Sequence, residues 1–253
     1  MLLKDINPWF DFTSDTKEYW DNFCVCPWER PKELSHGPRD PDSCSQTMRD
    51  YHRLLWSRQL PNGEQMQLED GLHKFYLRWK VFYFGSDSIT ATFRYYNNRT
   101  LIEKVKEQKP DYNEFIEDCM HRLYTIGGEM LFPVFNYSIN QARGCHPQIR
   151  DRWDLTLECI KLFYEGKDNP LIKSLEKARP FFELFVDFKG FVDFFFLQDC
   201  VDNNYNVIFW LNTKFFESNP MPQSVEDYLN FVQQELDFVE QRNQRIANFI
   251  KTV

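Results

Sequence analysis

Between positions 181 and 196 the chain reads FFELFVDFKGFVDFFF, with Phe181, Phe182, Phe185, Phe188, Phe191, Phe194, Phe195 and Phe196 crowded into one stretch. Rings packed that densely stay in water only at great cost, so the rest of the chain has to enclose them. The composition supplies the means: 253 residues, 42% hydrophobic and 17% aromatic, with 25 Phe, 12 Tyr and 7 Trp. A disordered or low-complexity chain is excluded, and the length fits one large domain or two small ones packed intimately.

The local patterns predict an α+β fold. Its expected form is a small, mostly antiparallel sheet of four or five strands, packed with several helices and richer in helix towards its C-terminal half. Residues 1–44 are rich in Pro and aromatics, from Asn7-Pro8 to Asp40-Pro41, and read as an arm packed on the body, with 45–253 as a single domain. Ser45–Arg58 has Met48, Tyr51, Leu54 and Leu55 at helical spacing behind a Ser cap. From Lys74 to Phe93 alternation predicts strands, with Gly85-Ser86-Asp87-Ser88 as a turn into Ile89–Tyr96. Helices are expected over Thr100–Gln108 and Tyr112–Leu123, and short strands over Tyr124–Phe132, Phe135–Ile139 and Asn206–Leu211. Pro147, followed by Ile149, Trp153, Leu157, Ile160 and Tyr164, predicts a helix ending at Gly166. One or two very apolar helices are expected over Pro170–Val201, and a long helix opens at the Ser224 cap and runs to Lys251.

Composition also narrows function. Only 9 Gly are present, against about 18 expected at ~7% usage. Neither the P-loop nor the dinucleotide-fold glycine fingerprint occurs. A net charge of −8 argues against an extended nucleic-acid surface or an anionic-membrane binder, while leaving a local basic pocket open. No apolar run approaches membrane-spanning length, and Lys4 and Asp5 interrupt the start where a signal peptide would be apolar, so a cytoplasmic protein with no membrane association is expected. The seven cysteines, at 24, 26, 44, 119, 145, 159 and 200, suit reduced thiols better than a disulfide framework. Cys24-x-Cys26 is too short for a zinc knuckle and Cys145-His146 lacks a third group, so neither metal nor a Cys nucleophile is expected.

Chemistry concentrates between Tyr124 and Glu158, where Gly127-Gly128, Asn140, Arg143, His146, Arg150, Arg152 and Asp154 interrupt an otherwise apolar pattern. On a helix running through 150–158, Arg150, Asp154 and Glu158 share a stripe, and Arg143 and His146 fall just ahead of its N-terminus. Exposed N–H groups, the helix dipole and planar guanidinium donors there favour a phosphate or carboxylate. The same residues also suit a partly buried ion-pair network that fixes the helix on the sheet. His52 and His146 are acid/base candidates together with Asp154. Tyr51, Ser86, Ser88, Asn140, Arg143, Arg150 and Arg152 are the candidate ligand contacts. Asp199, at the end of the Phe-rich segment, suits either catalysis or solvent.

The segments YHRLLWSRQLPNG (51–63), SDSITATF (86–93), YTIGGEMLFP (124–133), INQARGCHPQIRDRWDLTLECI (139–160) and FFELFVDFKGFVDFFFLQDCV (181–201) resemble a bacterial family known only as a domain of unknown function. The resemblance covers the chain from about Ser45 onward, with Trp153 and Phe191 standing where that family usually has Phe and Tyr. It implies an intact fold and a bacterial or phage-related origin, and no activity.

Two function classes remain. As an enzyme, the protein would act on a nucleotide or nucleic-acid end. The sharpest form is NAD-dependent ADP-ribosyl transfer, as in a toxin, toxin–antitoxin or phage-defence protein. An early His, a Ser-bearing strand end and a late acid surround the dinucleotide in such folds, and Tyr51-His52, Ser86-Ser88 and Asp199 occur in that order. The implied cofactor is NAD or another nucleotide, and the implied partner a phosphorylated small molecule. As a non-catalytic protein, the chain would dock a protein partner through its aromatic arm, with the Arg/His/Asp cluster structural.

Overall fold

The computed structural model describes residues 1–16, 41–72, 76–90, 98–134, 139–211, 216 and 219–252. Helix α1 (Gln46–Trp56) starts where Ser45 Oγ accepts the Met48 amide at 3.1 Å, and it buries Met48, Tyr51, His52, Leu55 and Trp56 along one face. Four strands follow in the order β1 (Glu69–Asp70), β2 (Leu77–Trp79), β3 (Phe82–Ser88) and β4 (Glu129–Pro133), each antiparallel to its chain neighbour. The protein is thus α+β with a small antiparallel sheet.

The sheet corrects one sequence expectation that matters for the site. Residues 85–88 are not a turn. They continue β3, with Ser86 opposite Leu131, Asp87 opposite Met130 and Ser88 opposite Glu129. The turn lies at Lys80-Val81 instead, with Lys80 in a left-handed conformation at φ 52°. Polar side chains inside β3 are tolerated because each finds a buried partner, as described below.

Between β3 and β4 lie α2 (Arg99–Gln108) and α3 (Tyr112–Leu123). Past β4, Ile139 opens a helix, α4 (Ile139–Cys145), and residues 135–138 of the expected strand lie outside the described residues. Helix α5 (Trp153–Tyr164) begins later than Pro147 predicts, because Arg150 and Asp151 turn left-handed at φ 49° and 65°. The expected strand over Asn206–Leu211 reduces to one bridge, Val201 to Val207. The Asp202 carboxylate accepts the Asn204 and Asn206 amides at 2.8 Å each and curls the chain there.

Over Pro170–Val201 the chain forms three short helices rather than one or two, α6 (Ile172–Lys177), α7 (Arg179–Phe182) and α8 (Phe188–Phe194). Phe181, Phe185, Phe191 and Phe195 are fully or almost fully buried, and Phe185 lies 5.1–5.3 Å from four other rings. Gly190 is required in α8, since a Cβ there would overlap the Phe185 carbonyl oxygen. The last helix, α9 (Val225–Ile250), is capped by Ser224 Oγ accepting the Asp227 amide at 3.0 Å and packs on α3. The start of the chain lies on this body. Phe12 is fully buried, its amide donates to the Tyr124 carbonyl at 2.9 Å, and the Trp9 indole donates to Glu240 of α9. Trp20, Phe23 and Trp28 of the arm lie outside the described residues.

Candidate functional site

Arg143 and His146 lie at the wrong end of a helix to attract an anion. They fall in the last turn of α4 and just after it, where the dipole is negative, rather than ahead of the N-terminus of α5. Arg143 is 1% exposed. Its Nη1 donates to Asp87 Oδ2 at 2.6 Å and to the Ser88 carbonyl at 3.1 Å, and lies 3.0 Å from Asp151 Oδ1. Its Nη2 donates to the Asp151 carbonyl at 2.9 Å. Burial alone would push its pKa down, but Asp151 and Asp87 more than offset this and raise it.

Arg152 and Asp154 form a second closed pair, with both side chains fully buried. Asp154 also accepts the Leu155 and Trp210 amides, and Arg152 donates to the Pro220 carbonyl, so the pair ties Trp210 and Pro220 to the start of α5. Arg150 is exposed and sits in the left-handed turn, so the stripe it was expected to share with Asp154 and Glu158 does not form. His146 is half-buried, its Nδ1 accepting the Gln148 amide at 3.3 Å. Asn140 lies in the first turn of α4, half-buried. Tyr51 is buried against Phe10 and Phe12, where its hydroxyl accepts the Asn7 amide at 3.1 Å. Ser88 bonds Thr90 through its hydroxyl at 2.9 Å. Asp199 is held by Arg245 of α9, whose Nη2 donates to it at 2.7 Å.

The structure does unite two candidates far apart in sequence. His52 Nε2 lies 2.8 Å from Ser86 Oγ, and Ser86 Oγ donates to Glu129 Oε2 at 2.8 Å. On the other side of the imidazole, the Trp56 indole N–H donates to His52 Nδ1 at 2.8 Å. The result is a hydrogen-bonded chain, Trp56–His52–Ser86–Glu129, running from α1 through β3 to β4. Burial, with Arg242 nearby, pushes the His52 pKa down to about 3, so the imidazole is neutral at physiological pH.

Glu129 and Trp56 escaped the sequence reading. Both left a signal: Glu129 is the only charge in the apolar run IGGEMLFP, and Trp56 is four residues from His52, on the same helix face. The first residue of β4 is placed from below by α9. Arg242 Nη1 donates to the Gly127 and Glu129 carbonyls at 2.9 and 2.8 Å, and Asn243 Oδ1 accepts the Gly127 amide at 2.7 Å. Gly127-Gly128 therefore serves close packing rather than a phosphate cradle, since a Cβ on Gly128 would overlap the Leu123 carbonyl oxygen.

His52 and Ser86 line a pocket of about 220 Å³, including its open mouth, between α1 and the sheet. Met48, Leu77, Phe84 and Leu131 give it apolar walls, Asp42 brings a carboxylate, and Arg49 brings a guanidinium that pairs with the exposed Asp70 at 3.3 Å. Burial pushes the thiol of Cys119 up to about 12 and raises those of Cys159 and Cys200 as well, so none of the three supplies a ready thiolate. Among the described residues no group of three or more His, Cys, Asp or Glu is placed to hold a metal ion, and no helix is long and apolar enough to cross a membrane.

The architecture defines an α+β domain in which a buried polar chain opens on a small pocket beside the sheet. By sequence the chain belongs to the family of unknown function DUF6994, which it matches over residues 6–246. No curated protein and no solved structure matches it.

Proposed function

We propose that the protein binds a small anionic ligand of the nucleotide or sugar-phosphate class in the pocket between α1 and β3. One observation carries the reading: His52 and Ser86, the middle members of the chain Trp56–His52–Ser86–Glu129, line a pocket whose wall also holds Arg49. Buried polar chains are costly to keep, and they gather where a ligand or a reaction uses them. Arg49 suits the anion. One of its partners, Asp70, is 59% exposed, and such a pair is worth only about 0–1 kcal/mol, so a phosphate can take the place of that carboxylate.

The pocket volume limits the ligand. Most of that volume is the open mouth, and the interior has room for about one water-sized group, so a single small polar group of a nucleotide or sugar phosphate enters and the remainder stays at the mouth. The NAD-consuming form of this reading puts His52 and Ser86 in the roles expected of an early His and a strand Ser, while Glu129, fully buried and outside the pocket wall, holds Ser86 from behind. His52, being neutral, acts there by fixing Ser86 through its hydrogen bond.

The test is thermal unfolding with NAD, ATP, GTP, nucleoside monophosphates, sugar phosphates and short RNA. A ligand at 100 times its dissociation constant stabilises by about 2.7 kcal/mol, or roughly 5–11 °C at ~2–4 °C per kcal/mol. A shift with one class that is lost in Arg49→Ala and Ser86→Ala supports the reading, and release of nicotinamide from NAD identifies the transferase form. No shift with any ligand refutes it. A second reading, a partner-binding protein with a structural Arg/Asp cluster, is favoured by the burial of Arg143 and Arg152 in ion pairs. In that case, removing the N-terminal arm abolishes partner capture in pull-downs.

A further inference from the structure

We infer that Trp56 is a positioning residue that fixes the sense of the hydrogen-bond chain, so that Ser86 meets the pocket only as an acceptor and selects a ligand presenting a hydroxyl or amine donor. The inference rests on the pocket being a ligand site, as proposed above, and it adds the chemistry of the group bound there.

The Trp56 indole N–H is a donor only. Bonded to it at 2.8 Å, His52 Nδ1 must be the bare, accepting nitrogen. A neutral imidazole carries one proton, which is then on Nε2. His52 Nε2–H therefore donates to Ser86 Oγ at 2.8 Å. A serine hydroxyl has one proton and two lone pairs. With one lone pair taken by His52, its proton goes to Glu129 Oε2, also at 2.8 Å. What Ser86 has left for the pocket it lines is its second lone pair.

The indole is itself held in place. Phe194, Phe195 and Phe196 pack on it at 5.9, 5.1 and 5.9 Å between ring centres, and the Arg58 guanidinium sits 5.4 Å from its ring. Rotation of Trp56, which would free Nδ1 and let the chain reverse, is blocked by this packing. Arg49 and Ser86 line the same pocket and set a two-point pattern for the ligand, an anion at one point and a donor at the other.

The first test is the imidazole tautomer, read from long-range proton–nitrogen correlations of His52 in the 15N-labelled full chain at pH 7. The expected pattern is a protonated Nε2 and a bare Nδ1; an Nδ1–H tautomer or an imidazolium overturns the inference. Trp56→Phe keeps a ring and removes the N–H, and a mixture of tautomers is expected in it. The second test compares glycerol 3-phosphate, which carries hydroxyl donors, with n-propyl phosphate, which carries none, by calorimetry. Glycerol 3-phosphate is expected to bind at least tenfold more tightly to the wild type, and this advantage is expected to vanish in Ser86→Ala. Equal affinities in the wild type overturn the inference while the anion site stands. Binding of neither phosphate overturns both, and the tautomer then shows whether the chain itself was misread.

Discussion

Arg143→Ala separates a ligand-binding guanidinium from a structural one. The side chain is 1% exposed, and its removal strips a donor from the Asp87 carboxylate and from the Ser88 and Asp151 carbonyls. Breaking a buried ion pair from one side costs about 3–5 kcal/mol, because the other charge stays behind. Here the two carboxylates retain 21% and 20% side-chain exposure, so water reaches them once the guanidinium is gone. That places the loss at the low end, about 3 kcal/mol, or a fall in Tm of roughly 6–12 °C for a chain of this size.

The assay is thermal unfolding, repeated in urea with the m-value checked, together with calorimetric binding of glycerol 3-phosphate to the folded variant. Large destabilisation with binding retained is expected. Arg143→Lys should recover only part of the loss, because an ammonium cannot reproduce the planar two-nitrogen contact with Asp87 and the Asp151 carbonyl. A Tm within about 2 °C of wild type, with binding abolished, would refute this assignment and return Arg143 to the ligand.

His52 gives stability a pH dependence of defined sign. Its folded pKa lies near 3 against 6.5 when unfolded, so below pH 6.5 the unfolded chain takes up a proton that the folded one refuses. Stability therefore falls as pH drops towards 3, by about 3 kcal/mol between neutral pH and pH 4.5 at ~1.4 kcal/mol per unit. Urea titrations of wild type and His52→Gln should differ by that amount over the interval, and parallel curves would contradict it. Gly128→Ala drives a methyl into the Leu123 carbonyl, which is backbone and cannot swing aside, so the Tm should fall by at least about 6 °C. Asp154→Asn leaves Arg152 buried and uncompensated, for a loss of about 3–5 kcal/mol in urea unfolding; unchanged stability would mean the pair is dispensable.

How much of this was legible in the sequence depended on whether a local signal or a distant partner decided the outcome. Helices α1 and α9 were readable because Ser45 and Ser224 cap them and one apolar face continues behind each cap. The start of α5 was not. Pro147 and Ile149 fit a helix, yet the Arg143 carbonyl takes the Asp151 amide and its guanidinium takes the Asp151 carbonyl, which commits that backbone to a turn. Likewise Gly85-Ser86-Asp87-Ser88 has turn composition, but β4 pairs with every one of those residues, and His52, Glu129 and Arg143 bond their side chains. His52 and Ser86 were each visible as candidates. Their contact across 34 residues was not, since nothing within either segment specifies the other.

The buried polar groups divide by what they hold together, and the division bears on function. Arg143 joins the turn after α4 to β3, and Arg152 with Asp154 joins Trp210 and Pro220 to the start of α5. Without them, segments that lack regular pairing would lose their anchors, so a structural role accounts for both. The His52–Ser86–Glu129 chain joins α1 to the sheet, a task that the apolar face of α1 already performs. Its members stand on α1, β3 and β4, and the backbone ladder already fixes Ser86 opposite Leu131. Apolar side chains of similar size could fill that space at no loss of stability, since buried polar networks are often no better than hydrophobic replacements. A costly network that secures nothing already unsecured, and whose middle members line a pocket with Arg49, supports the ligand reading proposed above.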